Sequence, residues 1–244
     1  MPYKSLDEAA VARTIERLCE RVEVRFPGSG LARVCRELDA IADRAAETSA
    51  WIRRPILPLR VGTWLLALLL LAGLAVTLVT ISAPVEPLTL PQLVQTVESA
   101  VNDLVFVGIA VAFLLTLETR LKRRRALAAV HELRSIAHVI DMHQLTKDPE
   151  WVLDRGRETG VLPPRTMSRF ELSRYLDYCS EALSLTGKVA ALYLKGFDDP
   201  VALQAVNEVE DLTTGLSRKI WQKLAVLYAM GPESTGTGPT LAGG

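Results

Sequence analysis

Val61-Gly-Thr-Trp-Leu-Leu-Ala-Leu-Leu-Leu-Leu-Ala-Gly-Leu-Ala-Val-Thr-Leu-Val-Thr-Ile-Ser82 holds 22 residues, eight of them leucine, and no charge. At helical rise it crosses a hydrocarbon core of about 30 Å. A helix apolar on every side is not the surface helix of a soluble domain. On either flank the charges segregate. The chain has 28 Lys+Arg and 28 Asp+Glu in 244 residues, yet no Lys or Arg lies between Arg60 and Arg120. Only Glu86, Glu98, Asp103 and Glu118 are acidic in that window. An apolar share of 49% excludes a disordered polymer. Balanced charge gives no reason to expect a nucleic-acid partner.

A second run, Leu104 to Leu117, has 14 uncharged residues, about 21 Å of helix. Ten of the 14 are Leu, Val, Ile or Phe, which favour insertion by roughly 3–6 kcal/mol. Basic anchors follow at Arg120-Leu-Lys-Arg-Arg-Arg125. The expectation is a hairpin at 59–119 with spans of about 61–82 and 102–119 and an external loop at 83–101. Arg53, Arg54 and Arg60 flank the first span, and Arg120, Lys122, Arg123, Arg124 and Arg125 the second. Excess Lys and Arg stays on the cytoplasmic side. Both termini are therefore expected in the cytoplasm, with 120–125 touching anionic lipid headgroups. No apolar run precedes Val61, so the first span is expected to be the insertion signal.

The rest reads as helices. Residues 6–26 begin with capping-box spacing at Ser5–Glu8 and carry Ala9, Ile15, Leu18 and Val22 on one face. Leu31, Val34, Leu38, Ile41 and Ala45 step along a second helix, and the module 1–58 ends at Pro55 and Pro58. From Pro91 a stripe of Leu93, Val94, Val97, Val101 and Leu104 leads into the second span, which is expected to run on to about Leu145. Residues 120–164 form a polybasic helix and a linker. Residues 165–230 form an αα-hairpin, opened by a Ser168–Glu171 box, stopped at Gly196 and restarted at Asp199-Pro200. Its two stripes are Leu172, Leu176, Cys179, Leu183, Ala190 and Leu194, and Leu203, Val206, Leu212, Leu216, Ile220, Leu224 and Leu227. Residues 231–244 read as a flexible tail. The fold class is an all-α integral membrane protein: a transmembrane hairpin with a cytoplasmic helical bundle.

Chemistry-bearing motifs are few. His131, Arg134, His138 and Asp141 fall at about 0°, 300°, 340° and 280° on one helix, a single polar stripe. His131 and His138 stand about 10.5 Å apart along the axis, too far for one ion. Zinc-protease spacing puts the second His at i+4, and here it is at i+7. The stripe is expected to be an interaction surface, with a metal or proton-relay role as the alternative. Phe26-Pro-Gly-Ser-Gly30 is no nucleophile elbow, and Thr186-Gly187-Lys188 no phosphate loop. Gly187 fits close helix packing instead. Cys19, Cys35 and Cys179 form no CxxC pair and read as buried free thiols. In the spans, Gly73 and Thr77, and Gly108, Ala112 and Thr116, recur every four residues, a spacing that suits close packing within the hairpin or between copies.

Stretches His131–Pro149 and Tyr175–Leu185 resemble uncharacterised bacterial inner-membrane proteins, which implies a bacterial plasma membrane and carries no activity with it. The two-span plan is also similar to that of bacterial defence effectors. The expected function is a membrane-anchored cytoplasmic scaffold or regulatory subunit. It takes no cofactor or metal and no catalytic residues, and its partners are anionic lipids and a protein or a second copy. The alternatives are an oligomeric pore or membrane-disrupting effector, and a metal-dependent enzyme using His131, His138 and Asp141.

Overall fold

Local caps set where each helix begins. In the computed structural model, which describes residues 6–82, 89–147 and 167–229, α1 (Glu8–Arg25) starts where Asp7 accepts the Ala9 N–H at 3.0 Å. The cap is Asp7; Ser5, the expected one, lies outside the described residues. Gly28, at φ 65°, makes the turn that L side chains resist. Ser29 then caps α2 (Gly30–Arg53) by accepting the Ala32 N–H at 3.1 Å. Helix α3 spans Leu57–Ser82. Pro58 sits in its first turn, where a missing N–H costs nothing, so it opens α3 and does not close α2. Helix α4 (Leu90–Leu145) has 56 residues, about 84 Å. Ser168 and Glu171 form the expected capping box at the start of α5 (Arg169–Leu192). Gly196, at φ 74°, turns the chain, and Asp199 caps α6 (Pro200–Ala229) by accepting the Ala202 N–H at 2.9 Å. No strand occurs among the described residues. The linker around Gly156, Gly160 and Pro163-Pro164, the loop residues 83–88 and the tail 231–244 lie outside them.

Two packing regimes share α4. Its second half joins α1, α2, α5 and α6 in an up-and-down bundle with one core. Ile15, Leu18, Leu31, Leu38, Leu133, Ile140, Leu176, Leu183 and Ile220 are fully buried there. Phe26, at the end of α1, meets Tyr175 and Tyr178 of α5 edge-on, with centroids 5.2 and 6.3 Å apart. The N-terminal pair therefore buries its stripes partly against the C-terminal hairpin. The α2 stripe is buried throughout, as sequence spacing predicts. Ala9 and Leu203 are exposed; Val11 and Ala202 take their places, in step with Ile15 and Val206. Gly187 does allow close packing, since a Cβ there would stand 3.2 Å from Thr213 Oγ1.

The first half of α4 lies antiparallel to α3. Their seam repeats every three or four residues, with Thr63, Ala67, Leu70, Leu74 and Thr77 facing Thr96, Ala100, Val107, Ala110, Leu114 and Leu117. Most of the other described side chains on the pair are exposed. Leu65, Leu68, Leu69, Val105, Phe106 and Ile109 are each more than half exposed, as are the stripe residues Val94, Val97, Val101 and Leu104. Both helices are long and apolar enough to cross a membrane.

Candidate functional site

The residues with the densest polar geometry sit where the hairpin meets the bundle. Glu118, on α4, receives Arg60 of α3 through Nε at 2.5 Å and Nη2 at 3.3 Å. It also accepts the Ile56 N–H at 3.3 Å and pairs with Lys122 Nζ, one helical turn on, at 2.8 Å. One carboxylate thus ties the start of α3, the middle of α4 and the chain between α2 and α3. Next to Lys122, Arg123 donates Nε to both Asp199 oxygens at 3.0 and 2.9 Å and Nη2 to one at 2.7 Å. The Asp199 side chain is only 1% exposed. Burial raises the Asp199 carboxyl, but the Arg123 guanidinium and the Ala202 N–H outweigh it and hold the group below its ordinary value. Glu8 and Arg53 complete this end of the bundle. Arg53 Nη1 donates to Glu8 at 2.5 Å, and its stem lies against Gly196, where a Cβ would come within 3.2 Å. Arg53, with Lys195 Nζ 3.4 Å from the same carboxylate, depresses the Glu8 carboxyl despite partial burial.

That geometry divides the basic run. Lys122 is buried on Glu118 and Arg123 pairs with Asp199, so two of the five basic residues expected at lipid headgroups are engaged within the chain. Arg125 lies over the Trp51 ring at 4.2 Å and Arg120 over Phe113 at 5.0 Å. Arg124 is exposed and makes no ion pair among the described residues. Three arginines therefore remain at the surface. Sequence reading missed the roles of Glu118, Asp199, Glu8 and Arg53. Of these, Asp199 was visible only as a cap, because its partner lies 76 residues away.

The histidine stripe faces outward. His131, Arg134 and His138 are exposed, and Asp141 is half-buried. Arg134 reaches Glu208 of α6 at 3.3 Å, and Asp141 accepts Gln144 Nε2 at 2.5 Å. Leu133, Ile136, Ala137 and Ile140 on the opposite side enter the core. Among the described residues no group of three His, Cys, Asp or Glu side chains is placed to hold a metal. His143 instead packs on the start of α2, where a Cβ on Gly30 would come within 2.1 Å of its ring. Burial, with Arg33 and Lys147 beside it, pushes its pKa below the usual value.

The small residues of the hairpin separate in the same way. Thr77 lies on the seam; Gly73 is exposed at its margin, one turn before Thr77, and Gly108, Ala112 and Thr116 are exposed on α4. A Cβ at Gly73 or Gly108 would meet nothing within 4 Å. Packing within the hairpin does not explain those four. The three thiols are free. A hydrogen bond between Cys19 and Cys35, together with burial, pushes the Cys19 thiol well up, and burial does the same at Cys179. A raised thiol pKa lowers the thiolate fraction on which nucleophilic attack depends. Two adjoining open grooves run along α5 and α6, lined by Ser180, Ser184, Lys188, Glu210, Thr214 and Ser217, with the exposed Trp221 at one end. They are shallow and hydroxyl-rich, shapes that suit contact with a surface better than enclosure of a small substrate. Comparison with protein-family models, with curated proteins and with solved structures finds no match to this chain.

Proposed function

We propose that the chain is a membrane-anchored helical scaffold, with α3 and α4 spanning a bacterial plasma membrane and both termini in the cytoplasm. The bundle would present its grooved α5–α6 face to a protein partner and perform no chemistry of its own. One observation carries the reading: α4 runs unbroken from the apolar hairpin into the core of the bundle. The Glu118 and Arg123–Asp199 links fasten the joint. Such a joint holds the bundle in a fixed attitude to the bilayer, which a scaffold needs and a tethered enzyme does not. Surface Arg120, Arg124 and Arg125 would lie at the anionic headgroups, each adding about 1 kcal/mol.

The test uses the full chain, tagged and extracted in mild detergent. A stoichiometric partner is expected to co-purify and to be lost on Trp221→Ala with Lys188→Glu. Protein-dependent ion currents in liposomes would overturn the scaffold reading in favour of a pore. A periplasm-dependent reporter should work when inserted near Glu86 and fail when fused after Gly244; activity at the C-terminus would overturn the topology.

A further inference from the structure

Three ion-pair networks mark the level at which the bundle meets the hairpin. Glu118 follows the last residue of the second apolar run and holds the Arg60 side chain and the Ile56 N–H. Arg123, which pairs with Asp199, stands five residues further along α4, about 7.5 Å. Arg53, which pairs with Glu8, precedes Ile56 by three residues, at most about 11 Å of chain. On the membrane reading above, hydrocarbon ends near Glu118, and the headgroup layer beyond it is about 5–7 Å deep. Asp199 and Glu8 are thus tied down at the cytoplasmic edge of that layer.

The elements they tie end there. Helix α6 runs alongside α4 in the same direction, because Arg123, Arg134 and Gln144 meet Asp199, Glu208 and Lys223 in that order. Its first turn, with Pro200 and the exposed Val201, is therefore its membrane-side end. The turn between α5 and α6 lies at the same level, since Gly196 stands against the Arg53 stem. So does the start of α1, where Lys195 Nζ donates to the Leu6 carbonyl at 3.2 Å and stands 3.4 Å from Glu8. Three separate segments thus end against the plane of the bilayer.

Charge identifies what meets that end. Arg53 and Lys195 share the carboxylate of Glu8, and Arg60 and Lys122 share that of Glu118. Each of these two networks is left with one positive charge over. Arg54 and Arg124, both exposed, make no ion pair among the described residues. The exposed carboxylates at this end, Asp7 and Asp198, are fewer than the cations. A lipid phosphodiester brings one negative charge and free acceptor oxygens, which an ammonium or guanidinium short of a partner takes up. The negative potential of an anionic leaflet attracts such an end as a whole.

We propose that the membrane-side end of the bundle is a phospholipid-binding surface, with Lys195 and Arg54 taking lipid phosphates and Val201 lying among the headgroups. The α5–α6 turn is then a second point of contact with the bilayer beside the hairpin, and the Arg123–Asp199 pair sets its height. The proposal rests on α3 and α4 spanning a membrane and on no cytoplasmic partner.

The experiment uses the full chain in vesicles of phosphatidylethanolamine and phosphatidylglycerol. The photoreactive residue p-benzoylphenylalanine replaces, one site at a time, Leu69 on α3, Val201 and Phe170, and the intact chain is weighed by mass spectrometry after irradiation. Phe170 is exposed at the far end of the bundle, about 33 Å along α5 from Leu192. Lipid adducts are expected at Leu69 and Val201, and none above background at Phe170. Lys195→Gln with Arg54→Gln should cut the Val201 adduct at least about twofold, while the Leu69 adduct and the helical circular dichroism stay unchanged. An adduct at Leu69 without one at Val201, equal yields at Val201 and Phe170, or a Val201 yield untouched by the double substitution would overturn the proposal. No adduct at Leu69 would overturn the membrane reading itself, so the two failures are told apart in one preparation.

Discussion

Helix α4 obeys opposite rules in its two halves. Between Leu90 and Leu117 most of its described large apolar side chains are exposed and the seam with α3 mixes small residues with Val107, Leu114 and Leu117; between Ala126 and Ile140 most point inward and the outward face carries His131, Arg134 and His138. Helical geometry is the same in both. The pattern of the sequence differs, and it changes within about one turn, at Glu118–Lys122. The lesson is that burial in this chain cannot be read from hydrophobicity alone: an exposed Phe106 and a buried Lys122 are each in place.

The sharpest way to break the contrast is to attack one half and look for damage in the other. Leu183 is fully buried in α5, so Leu183→Pro should cost about 3 kcal/mol or more by removing a backbone bond and jamming the preceding turn. Loss of cooperative melting of the bundle, with membrane retention kept, is expected. Loss of both would mean that the halves fold as one unit. Next in size is Arg123→Ala, which leaves Asp199 buried with its charge unpaired and should cost about 2–3 kcal/mol. Urea denaturation in detergent measures it, and Asp199→Asn in the same background should recover part of the loss.

Gly30→Ala should destabilise by about 1 kcal/mol, because the new methyl collides with His143. With His143→Ala also present that loss should vanish, a coupling that a double-mutant cycle reads directly. The pH dependence has two windows. His143 is depressed in the folded chain, so the unfolded chain takes the proton first. Stability should fall as pH drops from about 6.5 through the lowered folded value, and His143→Gln should remove that step. The depressed Glu8 and Asp199 carboxyls act at lower pH, with stability present above the ordinary carboxylate range and lost as pH falls through their folded values. Smallest of all, Arg44→Gln breaks an exposed pair with Glu132 and should change stability by less than about 1 kcal/mol.

Much of the bundle was legible in the sequence because period and caps are local. The Ser168–Glu171 box, the Gly196 stop and the Asp199 restart all stand where spacing put them. What was not legible depends on encounters between distant segments. Nothing near Phe26 announces Tyr175, and nothing in Arg120–Arg125 says that Lys122 turns back to Glu118 while Arg123 crosses to Asp199. For the same reason the small residues of the hairpin could be counted but not aimed. Their spacing is a property of one helix, whereas the face they occupy depends on where α3 lies.

Helix α4 has one glycine, Gly108, and no proline after Pro91. A rod without a joint is a lever. Were α3 and α4 to span a bilayer as proposed, a change in its thickness would tilt the hairpin, with no hinge along α4 to absorb the angle. A tilt of about 10° would swing the distal end of the bundle by about 7 Å, given some 42 Å of helix beyond Glu118. The turn at Phe26 and the groove beside Trp221 would be carried with it. On that proposal the attitude of the bundle would follow membrane thickness.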